Sequence, residues 1–140
     1  YITSFPVKKS ELSKAIMANG HNLKKIVRIV HPKVRVSMNR FIKKNKNKKF
    51  IILDIPLFME NKMNKKNDIL IFVDAKKKAI NKRLKERHNK NLKIIKKFKK
   101  LQLPVEFKKK KSHFKIKNNF RNNFTKKSVK NILRKILLNA

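Results

Sequence analysis

The sequence contains no cysteine, and this absence excludes two kinds of site. Without thiols, the chain has neither a disulfide framework nor a thiolate metal site. No apolar run approaches the roughly 20 residues that a membrane-spanning helix needs. Acidic residues are also scarce, with 7 Asp and Glu against 42 Lys and Arg. What remains is a strongly basic chain of 140 residues, a length typical of about one domain.

The net charge of +35 allows two explanations. A protein this basic could bind nucleic acid, which would be the main alternative to any enzymatic function. However, most of the basic residues are Lys, and Asn, Ile and Phe are also plentiful. These four residue types share A/T-rich codons, so genome composition alone could produce the profile. One continuous basic face would favour a nucleic-acid-binding protein, whereas an even scatter of Lys would favour compositional drift with only non-specific attraction of anions.

Residues 50–60 form the stretch around which the rest of the chain is organised. Four apolar residues at 50–53 are typical of a strand that is buried on both faces. Asp54 follows, and Pro56 cannot donate a hydrogen bond to a sheet, so the strand is predicted to end there. Ligands bind beyond the carboxyl ends of strands in open α/β sheets. Asp54 is therefore either a functional carboxylate at a strand end or an Asp that forms a turn.

Helical and strand patterns alternate along the remainder of the chain. A first helix is predicted from Ser10, with Gly20 near its C-cap. Asn22 is predicted to cap the next helix, which Pro32 interrupts. Further strands are predicted over 68–74 and 114–118, and further helices over 76–88, 92–101, 105–112 and 126–138. This alternation indicates an α/β fold with a parallel sheet.

Five short motifs follow one another along the chain. They are Val30-His31-Pro32, the run Leu-Asp-Ile-Pro-Leu-Phe-Met-Glu at 53–60, Arg-Leu-Lys-Glu-Arg at 83–87, Gln-Leu-Pro-Val-Glu-Phe-Lys at 102–108 and Ile-Lys-Asn-Asn at 116–119. In this order they resemble the dephospho-CoA kinases, from about Glu11 to the C-terminus. That family consists of P-loop kinases that phosphorylate the ribose 3′-hydroxyl of dephospho-CoA, the last step of coenzyme A synthesis. The resemblance implies ATP and Mg²⁺ as cofactors and dephospho-CoA as the substrate.

The resemblance implies a catalytic and substrate side. Asp54 would take part in catalysis and would hold Mg²⁺, directly or through water. His31 and Pro56 would lie near the substrate. A His next to a Pro at a helix end is more often structural, which is the alternative for His31.

The resemblance also implies an ATP side. Arg83 and Arg87 share one helix face, and as lid residues they would meet the ATP phosphates, for which planar guanidinium groups are well suited. The alternative is a solvated pair of Arg side chains near Glu86. Asn118 and Asn119 would contact the adenine, or would simply form a turn.

The sequence departs from the family in its glycine content. The family's P-loop requires glycines followed by Lys and Ser or Thr, because backbone N–H groups must approach the phosphates closely. Gly20 is the only glycine, and it lies in a predicted helical segment. We therefore expect one partial kinase domain over residues 1–140, which resembles the C-terminal two-thirds of a P-loop kinase fold and is inactive by itself. Its predicted location is the cytoplasm, and its oligomeric state is not predicted.

The predicted domain has four parts. Residues 8–48 form a helical region near the CoA substrate, and residues 49–75 form the core strands. Residues 76–112 form the helices on the lid side, and residues 113–140 form the last strand and the C-terminal helix.

Overall fold

The computed structural model describes residues 3–86 and 91–138. In chain order the elements are α1 (Lys9–Ala18), α2 (Gly20–Lys44), β1 (Ile71–Asp74), α3 (Lys77–Lys85), α4 (Leu92–Lys100), α5 (Val105–Lys111), β2 (Phe114–Lys117) and α6 (Asn122–Leu138). The described residues form two compact units. We call residues 3–63 and 91–102 the helical unit, and residues 64–86 and 103–138 the sheet unit. No helix in these ranges is long and apolar enough to cross a membrane.

Asn19 forms the junction between α1 and α2. Its backbone is extended, and its side-chain oxygen accepts a hydrogen bond from the His21 N–H at 2.9 Å, as an N-cap residue does. The predictions that Gly20 caps the first helix and that Asn22 caps the second were therefore wrong, since Gly20 is the first residue of α2. Asn22 instead donates from its amide to the Ala15 carbonyl at 2.9 Å, which ties α2 to α1.

Helix α2 continues through Pro32, where the sequence predicted an interruption. Proline has no N–H, so the helix loses one backbone hydrogen bond at this point. Leu23 and Met38 are buried on either side of Pro32. We infer that their apolar contacts hold both halves of α2 in one helix despite this missing bond.

The helical unit is closed by α4 and by the turns that precede residue 64. The Lys97 ammonium group of α4 donates to the Ile16 carbonyl of α1 at 2.6 Å. Arg35 of α2 donates to the Asn61 carbonyl at 3.2 Å. The buried residues of this unit are Ala15, Ile16, Leu23, Met38 and Met63. These contacts join α1, α2, α4 and the turns around residue 60 into one apolar core.

Residues 50–53 do not form the predicted strand. Residues 50–55 belong to neither a helix nor a strand, and turns follow over 56–62. Leu57 and Lys62 have φ angles of 57° and 49°, and the Asn61 amide donates to the Leu57 carbonyl at 2.7 Å. An apolar run forms a strand only where a second extended segment pairs with its backbone N–H and C=O groups. In the described residues this run has no such neighbour, so the prediction of a strand that ends at Asp54 was wrong.

The sheet unit is built on a parallel pair of strands, β1 and β2. Ile71 lies opposite Phe114, and Asp74 lies opposite Lys117. Parallel strands need a long crossover connection, which here runs from residue 75 to residue 113 and includes α3, α4 and α5. The predictions of strands within 68–74 and 114–118 are confirmed, and so is the α/β class with a parallel sheet.

A side chain extends the strand pairing beyond its first residue. The His113 backbone N–H donates to the Leu70 carbonyl at 2.9 Å, and the Leu70 N–H donates to Nδ1 of the His113 ring, also at 2.9 Å. At the other end, the Asn118 N–H donates to the Asp74 carbonyl at 2.6 Å. The strand pair is thereby fixed in register at both ends.

Three helices accompany these strands. Helices α3 and α5 occupy the positions that the sequence predicted, although the predicted end of α3 at His88 lies outside the described residues. Helix α6 begins at Asn122, four residues before the predicted start at Lys126, and packs against β2. The C-terminal part of α3 and the turn between β2 and α6 both line the cleft described below.

Candidate functional site

An open cleft of about 840 Å³ lies in the sheet unit between α3 and α6. The turn after β2 forms part of its wall. Its charged lining consists of Lys82, Arg83, Lys126 and Lys130, with Glu86 as an opposing carboxylate. A cleft lined mainly by cations concentrates anions. The lining therefore favours a ligand that carries negative charge.

Two consecutive asparagines shape the turn that follows β2. The Asn118 side-chain oxygen accepts a hydrogen bond from the Phe120 N–H at 2.8 Å, and the Asn119 side-chain oxygen accepts one from the Arg121 N–H at 3.0 Å. These are the local bonds by which Asn builds turns. Phe120 adopts a φ of 61°, which is uncommon for a residue other than glycine. The sequence left open whether these asparagines contact adenine or form a turn. In the structure both side-chain oxygens accept hydrogen bonds within the turn.

Arg83 is the residue of α3 that reaches this turn. Its guanidinium carbon lies 4.8 Å from the centre of the Phe120 ring, within the range of a cation–π contact. Arg83, Phe120 and Asn118 all line the same cleft. Two of the residues that the sequence predicted on the ATP side, Arg83 and Asn118, are therefore brought together from distant parts of the chain.

The other residues to which the sequence assigned a role do not line this cleft, apart from Arg87, which is not among the described residues. Asn119 lines a neighbouring groove of about 570 Å³ rather than the cleft itself. Asp54 and Pro56 are exposed in the helical unit, and His31 is half-buried within α2 rather than at a helix end. Arg87 lies outside the described residues.

No group of three or more His, Asp or Glu side chains that could hold a metal ion occurs within 3–86 and 91–138. Magnesium commonly takes only one or two protein carboxylates and completes its coordination with water and substrate phosphates. A single exposed carboxylate such as Asp54 fits that way of binding. It does not fit a metal held by the protein alone.

Sequence reasoning missed two features of the sheet unit. One is Phe120, whose signal was an aromatic residue placed directly after two turn-forming asparagines. The other is Lys109, whose ammonium group lies 3.3 Å from Asp74 and 3.4 Å from Glu106. The hydrogen bond to Asp74 is the main reason that the pKa of Lys109 is raised, with a smaller contribution from Glu106. This ion pair connects α5 to the end of β1.

Comparison with known proteins confirms the resemblance seen in the motifs. A family model described as dephospho-CoA kinase matches residues 6–134. The dephospho-CoA kinase of Wolbachia sp. subsp. Brugia malayi (strain TRS) is 30% identical over an alignment of 143 positions, which covers 99% of this chain and 72% of the relative. That of Wolbachia pipientis wMel is 31% identical over 138 residues, with coverage of 96% and 69%.

A third relative shows a comparable identity over a shorter stretch. The dephospho-CoA kinase of Fusobacterium nucleatum is 31% identical over 113 residues, which are 81% of this chain and 58% of the relative. The family match includes every residue to which the sequence assigned a role. These similarities give no support to the alternative of a nucleic-acid-binding protein.

Proposed function

The chain belongs to the dephospho-CoA kinase family, and from this premise we propose that it serves the ATP-dependent phosphorylation of the ribose 3′-hydroxyl of dephospho-CoA. The proposed place of action is the cytoplasm, and the proposed product is coenzyme A. The relatives carry the name of a kinase, which is a transferase, and the matched region covers both compact units.

The observation that carries this proposal is the convergence of Arg83 and Asn118 on one cationic cleft. Phosphoryl transfer depends mostly on positioning the nucleotide and on neutralising the charge that develops on its phosphates. Arg83 would donate paired hydrogen bonds to phosphate oxygens, as guanidinium groups do well. The Asn118 amide group would donate to the base, because its oxygen is already engaged by the Phe120 N–H. Arg87 would assist at the phosphates, and Asn119 would support the turn.

The helical unit contributes the remaining proposed roles. Asp54 would hold Mg²⁺, directly or through water, and the ion would neutralise phosphate charge when bound. His31 and Pro56 would contact dephospho-CoA. Exposure of Asp54 and Pro56 is compatible with these contacts.

A phosphate-binding P-loop is not among the proposed contributions. The only glycine within these 140 residues is the first residue of α2, so no segment in them can form the glycine-rich backbone cradle. We therefore expect no measurable turnover from these residues alone.

The decisive experiment adds a P-loop to these residues. An N-terminal segment with a glycine-rich P-loop of the family's pattern would be fused to this chain, and the fusion would be assayed with ATP, Mg²⁺ and dephospho-CoA. We expect formation of coenzyme A by the fusion. A folded fusion that binds ATP but phosphorylates no dephospho-CoA would contradict the proposed activity.

Two matched substitutions test the role of Asp54 within that fusion. Asp54→Asn should lower turnover by at least about tenfold, as loss of a charge-stabilising group in phosphoryl transfer does, while leaving the thermal midpoint unchanged. The control is Asp68→Asn, because Asp68 accepts a turn hydrogen bond from the Lys65 N–H at 2.8 Å, which Asn can also accept. Equal turnover in both variants would assign Asp54 to a merely structural role.

A further inference from the structure

Phe120 occupies a backbone conformation that glycine would adopt more readily. Its φ is 61°, and the side-chain oxygens of Asn118 and Asn119 accept hydrogen bonds from the N–H groups of Phe120 and Arg121 in the same turn. A bulky residue in this region is unusual, and such positions cluster at functional sites. Glycine would suit this backbone shape better, so the turn geometry by itself does not account for an aromatic side chain here. The ring therefore invites a functional explanation.

Phe120 lines the cleft, and the residue is 40% exposed. Arg83 covers one face of its ring, with the guanidinium carbon 4.8 Å from the ring centre. At that distance no base fits between the two groups. A ligand that stacks on this face must therefore displace Arg83.

We propose that Phe120 is the stacking surface for the nucleotide's base, and that the base takes the ring face that Arg83 covers in this structure. The displaced guanidinium is then free to bind the phosphates. This inference rests on the proposed nucleotide site, and it adds a base-binding residue and an order of events to it.

Energetic balance favours such an exchange. A cation–π contact at an exposed site is among the weaker interactions of an Arg side chain, whereas stacking of a base on an aromatic ring is stronger. The displaced Arg83 gains charge-assisted hydrogen bonds with phosphate oxygens. A ligand with both a base and phosphates therefore offsets the lost cation–π contact with two new interactions, the stacking on Phe120 and the hydrogen bonds to Arg83. A ligand with only a base or only phosphates offers one of these two interactions.

The test uses adenosine and the 140-residue chain. Adenosine carries no charge, so the net charge of +35 does not bind it non-specifically. Titration would be followed by NMR through the side-chain Nε–H signal of Arg83, whose position the ring current of Phe120 shifts. We expect this signal to lose its ring-current shift as adenosine binds. An Arg83 signal that keeps its shift at saturation would overturn the exchange.

Substitutions at Phe120 distinguish the contribution of its ring to adenosine binding from its contribution to stability. Phe120→Leu should weaken adenosine binding by about fivefold or more, in line with the loss of one stacking contact, and Phe120→Tyr should retain it. Phe120→Gly removes the ring but accepts the backbone conformation, so it should be more stable than Phe120→Ala while binding adenosine equally weakly. Unchanged adenosine affinity in Phe120→Leu would overturn the proposal.

Substitution of Arg83 distinguishes displacement of the guanidinium from an arrangement in which the base lies between Arg83 and Phe120. If the base replaces the guanidinium, Arg83→Ala should leave adenosine affinity unchanged or tighter, while it weakens binding of ATP. Weaker adenosine binding in Arg83→Ala would overturn the displacement.

The experiments also distinguish a failure of the stacking role from a failure of the proposed kinase activity. A fusion that makes coenzyme A with unchanged ATP affinity in Phe120→Leu refutes only the stacking role, whereas adenosine results as expected with an inactive fusion refute only the kinase activity.

Discussion

The helical unit and the sheet unit are stabilised in different ways. Among the described residues, five of the six buried hydrophobic side chains belong to the helical unit, and Ile116 alone belongs to the sheet unit. The sheet unit leaves Ile71 and Val73 of β1 exposed. Its order depends instead on directional contacts, namely the paired bonds of Leu70 with His113 and the ion pair of Lys109 with Asp74.

This difference has a consequence for the cleft. Regions with few buried apolar contacts and solvent-exposed hydrogen bonds open locally at low cost, and elements that move on ligand binding come from such regions. The candidate nucleotide cleft lies entirely in the sheet unit, where the exchange at Phe120 would take place. The helical unit, which holds five of the six buried side chains, carries the candidate substrate residues His31 and Pro56. The candidate nucleotide cleft therefore lies in the unit with fewer buried apolar side chains.

The largest expected effect comes from emptying the single buried position of the sheet unit. Ile116→Ala should cost about 2–4 kcal/mol, the usual range for a buried Ile, and should abolish protection of the β1 and β2 amides. Ile16→Ala in the helical unit is the matched control, with a comparable loss of apolar contact. Amide hydrogen exchange by NMR distinguishes them. Equal loss of protection in both units of both variants would show that the units unfold together and do not differ in stability.

A second substitution should stabilise the helical unit. Pro32→Ala restores the backbone donor that α2 lacks and removes the steric conflict of a proline in a helix interior. We expect a gain of about 1–2 kcal/mol, since the full difference of about 3 kcal/mol is reduced by the greater freedom of Ala in the unfolded chain. Lys33→Ala, at the neighbouring exposed position, should change stability by less than about 0.5 kcal/mol. Denaturant midpoints measure both, and a destabilised Pro32→Ala would show that α2 needs the proline.

A smaller effect is expected at the start of β1. His113→Ala removes the acceptor for the Leu70 N–H and should cost about 1 kcal/mol, with faster exchange of that amide. His113→Asn offers a side-chain oxygen close to the position of Nδ1 and should retain most of the protection. Equal exchange rates of the Leu70 amide in both variants would exclude a role for the side-chain acceptor.

The smallest expected effects depend on pH, and their signs are opposite in the two units. In the sheet unit the pKa of Lys109 is raised, first by its hydrogen bond with Asp74. This contact therefore contributes fully below the pKa of an ordinary lysine, about 10.4, and is lost as the pH rises through the raised value. The difference in unfolding midpoint between the wild type and Lys109→Met should disappear in strongly alkaline solution.

In the helical unit the pKa of Glu11 is lowered, first by the hydrogen bond that Ser4 donates at 2.7 Å and further by the hydroxyl of Thr3. Its contribution is complete above the pKa of an ordinary glutamate, about 4.3, and is lost as the pH falls through the lowered value. The difference between wild type and Glu11→Gln should thus disappear in acid. A loss of both differences at the same end of the pH range would refute these assignments.

Sequence patterns alone determined the short-range features of this protein. Apolar spacing predicted α3, α4 and α5 within a few residues, and short apolar runs predicted β1 and β2, because these patterns depend on residues close together in the chain. The five motifs identified the family. The same local rules failed at Gly20, where the capping side chain is Asn19, and at Pro32, where buried residues on both sides outweigh a local defect.

Only the tertiary structure decided which distant residues meet. The apolar run at 50–53 satisfied every local criterion for a strand, yet pairing depends on a partner that local sequence does not specify. The contact of Arg83 with Phe120 joins α3 to a turn beyond β2, and it exists because parallel pairing brings those segments to one cleft. Short-range order follows from the periodicity of the chain, whereas the cleft follows from long-range pairing and packing.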